Sequence, residues 1–287
     1  MKIYMFHYVT RDFNYFHFDV DEFENTIKEL IKHYRIIGLI ELYDRIKEKK
    51  ELKNCIMLTF DDGTKDHYKY VYPILKKYNV PGVFFISSNI IKGEILDIHI
   101  IHQLFAKVGV EKLYDDLVEE LKKREIVIND KEFITTKFDE YKMKYVKQLL
   151  QFILSREQRT EIINTFIKKY KISEKSEDYY ITNEELKEMK NNNMQFGLHT
   201  KSHVRLDRLS LVEQREEIIE NYKLLTNMEI LTYPIAIAYP FGVYNDDTLK
   251  ILIDNNIEMG FAIDGDETMN NLLEIKRHDA NEFKEKR

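Results

Sequence analysis

The sequence of 287 residues is poor in the residues that mark several protein classes. It has one cysteine, Cys55, so an intramolecular disulfide and a zinc site built from several thiolates are both excluded. It has no tryptophan, while 19 Tyr and 17 Phe supply aromatic side chains that suit either a core or a sugar-facing surface.

Long apolar runs are also missing. No segment approaches the roughly 18 apolar residues that a membrane-spanning helix needs. The apolar stretch within Met1–His7 is too short for the core of a signal peptide. We therefore expect a cytoplasmic protein without a transmembrane segment.

An excess of positive charge is lacking as well. The formal net charge is −6, so no global positive field draws the chain onto nucleic acid or anionic lipid. Hydrophobic residues make up 44% of the chain and charged residues 33%, a composition typical of a folded protein.

Short β-forming runs alternate with amphipathic helical patterns over much of the chain. The predicted strands are 2–9, 55–60, 81–86, 194–198, 235–239 and 259–263. The predicted helices between them are 21–33, 41–50, 66–77, 183–191, 210–225 and 247–256, the first with Asp21 as N-cap and Glu24 as its capping-box partner. Alternation at this spacing predicts the α/β class with parallel strand pairing.

The alternation is interrupted between about residues 89 and 178. Charged helical stretches at 111–123, 142–154 and 156–170 replace it. We interpret this part as a mainly helical insertion within a single catalytic domain that spans residues 1–287.

Two adjacent carboxylates end one predicted strand, in the segment Thr59-Phe60-Asp61-Asp62-Gly63. Neighbouring side chains at a strand end point in different directions, so one carboxylate can bind a cation while the other faces a substrate. In parallel α/β folds, sites are built at the carboxyl ends of strands. The alternative is a plain turn in which Asp caps a helix and Gly supplies backbone freedom.

Two histidines follow another predicted strand, in the segment His199-Thr200-Lys201-Ser202-His203. At this spacing they share one face if the segment is helical, and a pair of imidazoles can then bind one metal ion. Two unrelated surface histidines are the alternative. Together with the carboxylate pair, two imidazoles and one carboxylate are typical of a catalytic divalent-metal site.

These two segments and Ala238-Tyr239-Pro240-Phe241-Gly242 resemble, in order, three motifs of the NodB-homology polysaccharide deacetylases, carbohydrate esterase family four. The resemblance covers roughly residues 1–90 and 180–280. It implies a distorted, incomplete (β/α) barrel that hydrolyses the N-acetyl amide of an amino sugar. It also implies one divalent metal ion, zinc by expectation, with cobalt, nickel, manganese or iron as alternatives.

Transferred by motif position, the resemblance implies a role for each residue. Asp62, His199 and His203 would bind the metal ion, and Asp61 would act as general base toward the attacking water. The backbone N–H of Phe241 would help to form the oxyanion hole.

The chain departs from the family pattern before Pro240. Family members often carry an arginine there that holds the catalytic Asp, whereas this chain has Ala236-Ile237-Ala238. We expect Arg277, near the end of the last strand-like segment, to lie beside Asp61 instead. The alternative is that Arg277 is only a surface charge in a basic patch.

Two histidines compete for the role of general acid. Many family members place this residue near the C-terminus, where His278 lies, whereas His7 resembles the acid histidine of biofilm poly-N-acetylglucosamine deacetylases, which precedes the Asp-Asp motif. We favour His7, because strand alternation places it on one face with Ile3 and Met5 and at the carboxyl end of the first strand. A core histidine satisfied by the backbone is the alternative for His7.

The predicted function is hydrolysis of the N-acetyl amide of an amino sugar in a surface glycan or its precursor. Because no signal peptide is seen, a second hypothesis is deformylation, or action on a nucleotide-linked or lipid-linked sugar. A sugar-binding protein that has lost catalysis is a third, because the arginine before Pro240 is missing. The expected partner is an N-acylated amino sugar, and the oligomeric state is left open.

Overall fold

The computed structural model describes residues 1–12, 17–128 and 141–283. They divide into two compact units. The first, here called the barrel unit, contains the described residues of 1–11, 17–94 and 179–283. The second, here called the helical unit, contains the described residues of 12 and 95–178. The insertion predicted at 89–178 overlaps the helical unit, and a single domain over 1–287 stays a prediction.

The described strands all belong to the barrel unit. They are β1 Lys2–Phe6, β2 Tyr8–Val9, β3 His17–Phe18, β4 Arg35–Ile36, β5 Cys55–Asp61, β6 Val83–Ile86, β7 Gln195–Leu198, β8 Ala236–Ala238, β9 Met259–Ala262, β10 Ile275–Lys276 and β11 His278–Asp279. The main sheet has the order β10-β9-β8-β7-β6-β5-β1-β11, with β4 also paired to β5, and every pairing is parallel. Strands β2 and β3 form a separate parallel pair.

One short segment nearly closes this sheet into a barrel. Strand β10 pairs with β9, and β11, one residue further on, pairs with β1. Arg277 lies between the two strands, so the extended segment 275–279 joins both edges. The distorted (β/α) barrel that the sequence resemblance implies is therefore confirmed.

The described helices, in chain order, are α1 Val20–His33, α2 Leu39–Lys47, α3 Tyr72–Lys77, α4 Ser88–Ile91, α5 Asp97–Val108, α6 Val110–Lys123, α7 Tyr141–Gln148, α8 Arg156–Tyr170, α9 Asn183–Asn191, α10 Leu211–Asn227 and α11 Asp246–Asp254. Helices α5 to α8 belong to the helical unit, where Arg159 of α8 lies 2.8 Å from the carboxylate of Asp97 on α5.

In the part of the chain that the structure describes, no helix combines the length and the apolarity that crossing a membrane requires. A cytoplasmic location stays a prediction.

Strand alternation separates the two faces of the sheet. The inner face of the barrel carries a buried cluster that includes Ile3, Met57, Phe85 and Phe261. Because side chains alternate along a strand, Asp61 shares the inner face with Met57.

The outer face carries four phenylalanines at paired positions of β1, β5, β6 and β7, which we call the phenylalanine row: Phe6, Phe60, Phe84 and Phe196. Neighbouring ring centroids lie 4.9 to 5.7 Å apart. All four rings are buried, so the row forms the core between the sheet and the elements that pack on its outer face.

Three local predictions are corrected. The N-cap of α1 is Asp19, whose carboxylate accepts from the amides of Asp21 and Glu22, so the predicted cap at Asp21 is wrong. The strand predicted over 2–9 bends at His7 between β1 and β2. The helix predicted over 66–77 begins as a π-helical turn, His67–Val71, which continues into α3.

Candidate active site

Two strand ends of the barrel unit carry the candidate metal ligands. Asp61 is the last residue of β5, and Asp62 leaves the strand with a φ of 75°. His199 directly follows β7, and His203 lies four residues further along the loop. The carboxyl ends of parallel strands lie at the same edge of a sheet, so Asp62 and His199 follow strand ends at that edge, with one strand, β6, between them.

The structure brings Asp62, His199 and His203 together. The Nε2 atoms of both histidines lie 3.3 Å from Oδ1 of Asp62. All three side chains are buried, and one donor atom from each lies within 4.8 Å of the others. Within the described ranges 1–12, 17–128 and 141–283, this is the one such group of three or more metal-binding side chains.

The backbone contact of His199 shows that its Nδ1 atom carries a proton. Its Nδ1 lies 2.8 Å from the carbonyl oxygen of Ala238, and because a carbonyl only accepts, Nδ1 must carry the proton. In the neutral ring, Nε2 then directs a lone pair at a carboxylate oxygen. Two atoms rich in electrons at this distance favour a cation between them.

Burial acts to lower the pKa of His199, but the contacts with Asp62 and the charge of Asp61 outweigh it and raise that pKa.

This donor set fits a divalent ion of the zinc type. One carboxylate oxygen and two imidazole nitrogens are the ligands that catalytic zinc sites use, with further positions left open. The contact from Nδ1 of His199 to the backbone also matches the usual second contact of a metal-binding histidine, which fixes ring orientation.

The loop 199–203 is not helical, so the two histidines do not meet by helical spacing. Thr200 and His203 instead adopt left-handed backbone conformations, with φ of 59° and 56°. Asp62 and Phe241 do the same, with φ of 75° and 58°. Each such residue costs about 1–3 kcal/mol and persists where the surrounding structure holds it, commonly at functional sites.

Helix α10 holds this loop through side chains on one face. The buried Asn221 accepts a hydrogen bond from the amide of His199 and donates one to the carbonyl of Ile86, both at 3.0 Å. The carboxylate of Glu217 accepts from the amide and the hydroxyl of Ser202, at 2.8 and 2.6 Å. The histidine loop is therefore fixed to α10 and to the end of β6.

The sequence reading did not single out Asn221 or Glu217. A signal for Asn221 is present, because Gln214, Ile218, Asn221 and Leu225 form a buried stripe at helical spacing. A polar residue inside an apolar stripe needs a buried partner.

Asp61 is paired with Arg277. The guanidinium donates to both carboxylate oxygens, at 2.7 and 2.8 Å, and the two side chains are only 1% and 2% exposed. It also donates to the hydroxyl of Thr59 at 3.2 Å and lies over the ring of Phe85. Burial acts to raise the pKa of Asp61, but the charge of Arg277 outweighs it and holds that pKa below its usual value.

The two candidate acid histidines lie on different faces of the sheet. Nε2 of His7 is 4.0 Å from Oδ2 of Asp61, and its side chain is 41% exposed. His278 follows Arg277 in an extended segment, so its side chain points the other way. There it contacts Glu282 at 3.1 Å and packs against the ring of Tyr4.

Phe241 lies in the turn Pro240–Gly242 that follows β8. Its ring packs edge-on against His203, with the centroids 4.8 Å apart. Gly242 has a φ of 71°, and a Cβ there would meet Ile263 at 2.5 Å, so the turn requires glycine at this position.

We predict that zinc binds this group and stabilises the fold. A ligand present at 100 times its Kd stabilises the folded state by about 2.7 kcal/mol, so Tm in zinc should exceed Tm in chelator. The variant His203→Gln should lose this difference and the bound zinc, whereas His33→Gln, at an exposed position, should keep both. Thermal scans and elemental analysis measure the two quantities, and equal zinc contents in His203→Gln and the unmodified chain would contradict the assignment.

The fold and the site together define an α/β-barrel protein with a candidate divalent-metal centre at the carboxyl ends of its strands. The chain belongs to the polysaccharide deacetylase family, because the sequence model of that family matches residues 48–260.

Individual relatives are distant. The Streptococcus pyogenes deacetylase PplD, solved with acetate, is 20% identical, with a TM-score of 0.61 over 97% of this chain and 91% of that one. The deacetylase domain of BpsB from Bordetella bronchiseptica is 15% identical, with a TM-score of 0.57 over 97% and 94%. At these identities the two structures establish the fold alone.

A curated relative is YxkH of Bacillus subtilis, provisionally named a polysaccharide deacetylase. It is 22% identical over 214 residues, which are 75% of this chain. The match spans 46% of that protein, so this chain covers about half the length of the relative.

Proposed function

We propose that the protein is a metal-dependent hydrolase that removes the N-acetyl group of an amino sugar in a glycan or a glycan precursor. The observation that carries the proposal is a buried carboxylate and two imidazoles within 4.8 Å, next in sequence to a second carboxylate held by a buried arginine. Membership of the polysaccharide deacetylase family supports the same reaction.

In this proposal Asp62, His199 and His203 hold the metal ion. A divalent ion held by these three side chains would polarise an amide carbonyl and lower the pKa of water. The backbone contacts of His199, together with Asn221 and Glu217, keep the loop in place, so little reorganisation is needed when the ion binds.

Asp61 is the proposed general base. Its lowered pKa keeps it ionised near neutral pH, and an ionised carboxylate can take a proton from water. Arg277 contacts both carboxylate oxygens and therefore sets their orientation. Arg277 thus acts on the reaction through Asp61.

His7 is the proposed general acid, which gives a proton to the leaving amine. Nε2 of His7 is 4.0 Å from Asp61, and a half-exposed side chain can reach a substrate. We prefer it to His278, whose contacts with Glu282 and Tyr4 lie on the opposite face of the sheet.

The backbone N–H of Phe241 is the proposed oxyanion donor. The left-handed conformation of Phe241 and the packing of its ring on His203 fix this peptide near the histidines. A fixed donor at the developing oxyanion stabilises the transition state.

Acetyl is the proposed acyl group, and PplD supports it because acetate is bound in the structure of that protein. The test is acetate release from N-acetylglucosamine oligomers and from a nucleotide-linked N-acetyl sugar, with N-formyl analogues in parallel. We expect one acetate for each free amine formed, and loss of the reaction in chelator and in His203→Gln. A zinc-loaded, folded protein that releases neither acetate nor formate from any of these substrates would refute the proposal.

A further inference from the structure

His7 stands where the first strand leaves the sheet. The pairing of β1 with β5 ends at Phe6 and Phe60, and the chain bends at His7 before β2 begins. The side chain is 41% exposed, and the ion pair it forms, with Asp61, is long at 4.0 Å. The direction of the His7 ring therefore depends on how its backbone is held.

A buried histidine contacts that backbone. Nε2 of His67 is hydrogen-bonded to the carbonyl oxygen of His7. Because a carbonyl only accepts, Nε2 of His67 is the donor. Burial lowers the pKa of His67, which favours the neutral ring with its proton on this nitrogen.

The surroundings of His67 leave its ring little freedom. The side chain is fully buried in the barrel unit, where it packs edge-on against Phe60 and Phe84 of the phenylalanine row. The ring centroids are 5.6 and 5.8 Å away. His67 is thus a rigid donor on the outer face of the sheet.

The neighbouring residue provides a second contact to the same bend. The amide of Val9 donates to the carboxylate of Asp66. Asp66 precedes the π-helical turn His67–Val71, only a few residues after Asp61, the candidate base that ends β5, and Asp62, the candidate metal ligand that follows it. One turn therefore holds the backbone on both sides of Tyr8.

We propose that His67 is a positioning residue that fixes the carbonyl of His7 and thereby keeps the His7 ring at Asp61. The inference rests on the proposed function, in which His7 is the general acid. His67 lies on the outer face of the sheet, and its effect on the reaction passes through the His7 backbone. The proposal adds His67, a residue outside the three sequence motifs, to the groups that support the proposed general acid His7.

Two substitutions separate the hydrogen bond from the packing. In His67→Gln the side-chain amide can place a donor close to the position of Nε2, whereas His67→Met fills a similar space without a donor. We expect His67→Met to lower kcat by about 10- to 100-fold with little change in KM, because a misplacement of about 1 Å can cost a reaction about 100-fold. His67→Gln should recover most of the rate, and zinc content should be unchanged in both.

A double-mutant cycle tests whether His67 acts through His7. In a His7→Gln background, His67→Met should cause little further loss of kcat, because the group it positions is already missing. Multiplicative losses in the double variant would overturn the proposal, since they would show that His67 acts on the rate by another route.

A measurement without substrate distinguishes this inference from the proposed function. The imidazole NMR signal of His7, identified by its absence in His7→Gln, should shift in His67→Met and stay near its original position in His67→Gln. If the unmodified chain releases no acyl group, the proposed function fails and the NMR result still tests the contact. If the chain is active but neither the signal nor kcat changes in His67→Met, this inference fails and the proposed function stands.

Discussion

Replacing Asp61 by asparagine is expected to lower kcat/KM for deacetylation by about 10²–10⁴-fold, the range that a lost general base typically costs. Asparagine has nearly the same shape but does not take a proton from water at neutral pH. Asp62, His199 and His203 are untouched by this change, so zinc should still bind at one ion per chain.

Steady-state kinetics with elemental analysis measures both quantities on the same preparation. Asp247→Asn is a matched control, because Asp247 is exposed in the first turn of α11, outside the proposed site. It should retain the full rate. A variant Asp61→Asn with normal kcat/KM would remove the proposed base, and one that loses zinc would show that Asp61 supports the metal site.

Replacing Arg277 by methionine is expected to destabilise the protein by about 3–5 kcal/mol, the usual result of removing one partner of a buried ion pair. The carboxylate of Asp61, 2% exposed, would lose both of its contacts with the guanidinium. Arg277 also lies between β10 and β11, where the segment 275–279 joins the two edges of the sheet. We therefore also expect the unfolding transition of the variant to be less cooperative.

The control for Arg277→Met is the double variant Arg277→Met with Asp61→Asn. Removing both charges leaves no uncompensated ion, so the double variant should be more stable than the sum of the two single losses predicts. Urea unfolding of the four chains gives the coupling free energy. Losses that add within about 0.5 kcal/mol would show that the pair is not coupled.

Fold class was readable from the sequence because each element carries its own pattern. The apolar run Cys55–Phe60 is buried on both faces, as expected for a central parallel strand, and β5 extends one residue further to Asp61. The sequence indicated only a strand-like segment that ends near Arg277, and it did not separate the short strands β10 and β11, since two residues carry no periodicity. Helix α5 was not predicted individually within the helical insertion. Its isoleucines, Ile98, Ile100 and Ile101, alternate with His99 and His102, so the sequence shows no clear separation of an apolar and a polar helix face.

The site was readable only in part. Asp61, Asp62 and the two histidines of 199–203 were found from adjacent carboxylates and paired imidazoles at strand ends. The expectation that His199 and His203 would meet through helical spacing was wrong, because the loop is not helical and residues in left-handed conformations bring the two side chains together. Asn221, Glu217 and His67 contact the backbone of the candidate site from other elements. Of the three, Asn221 has a sequence signal, as a polar residue in a buried helical stripe, whereas contacts like those of Glu217 and His67 leave little trace in a sequence.

For His7, the proposed general acid, alternation along the first predicted strand was enough to place the side chain on the inner face, at the edge where Asp61 ends β5. By itself the sequence determined the α/β class, the order of the motifs and the residue types able to bind a metal ion, because periodicity and side-chain chemistry are local properties. The sequence also led us to expect Arg277 beside Asp61, with a surface charge as the alternative, and the tertiary structure decided between the two. Only the tertiary structure decided that His278 faces Tyr4 and Glu282. The near closure of the barrel at 275–279 fixes both, and closure depends on pairing between strands more than 200 residues apart in sequence, Tyr4 with His278 among them.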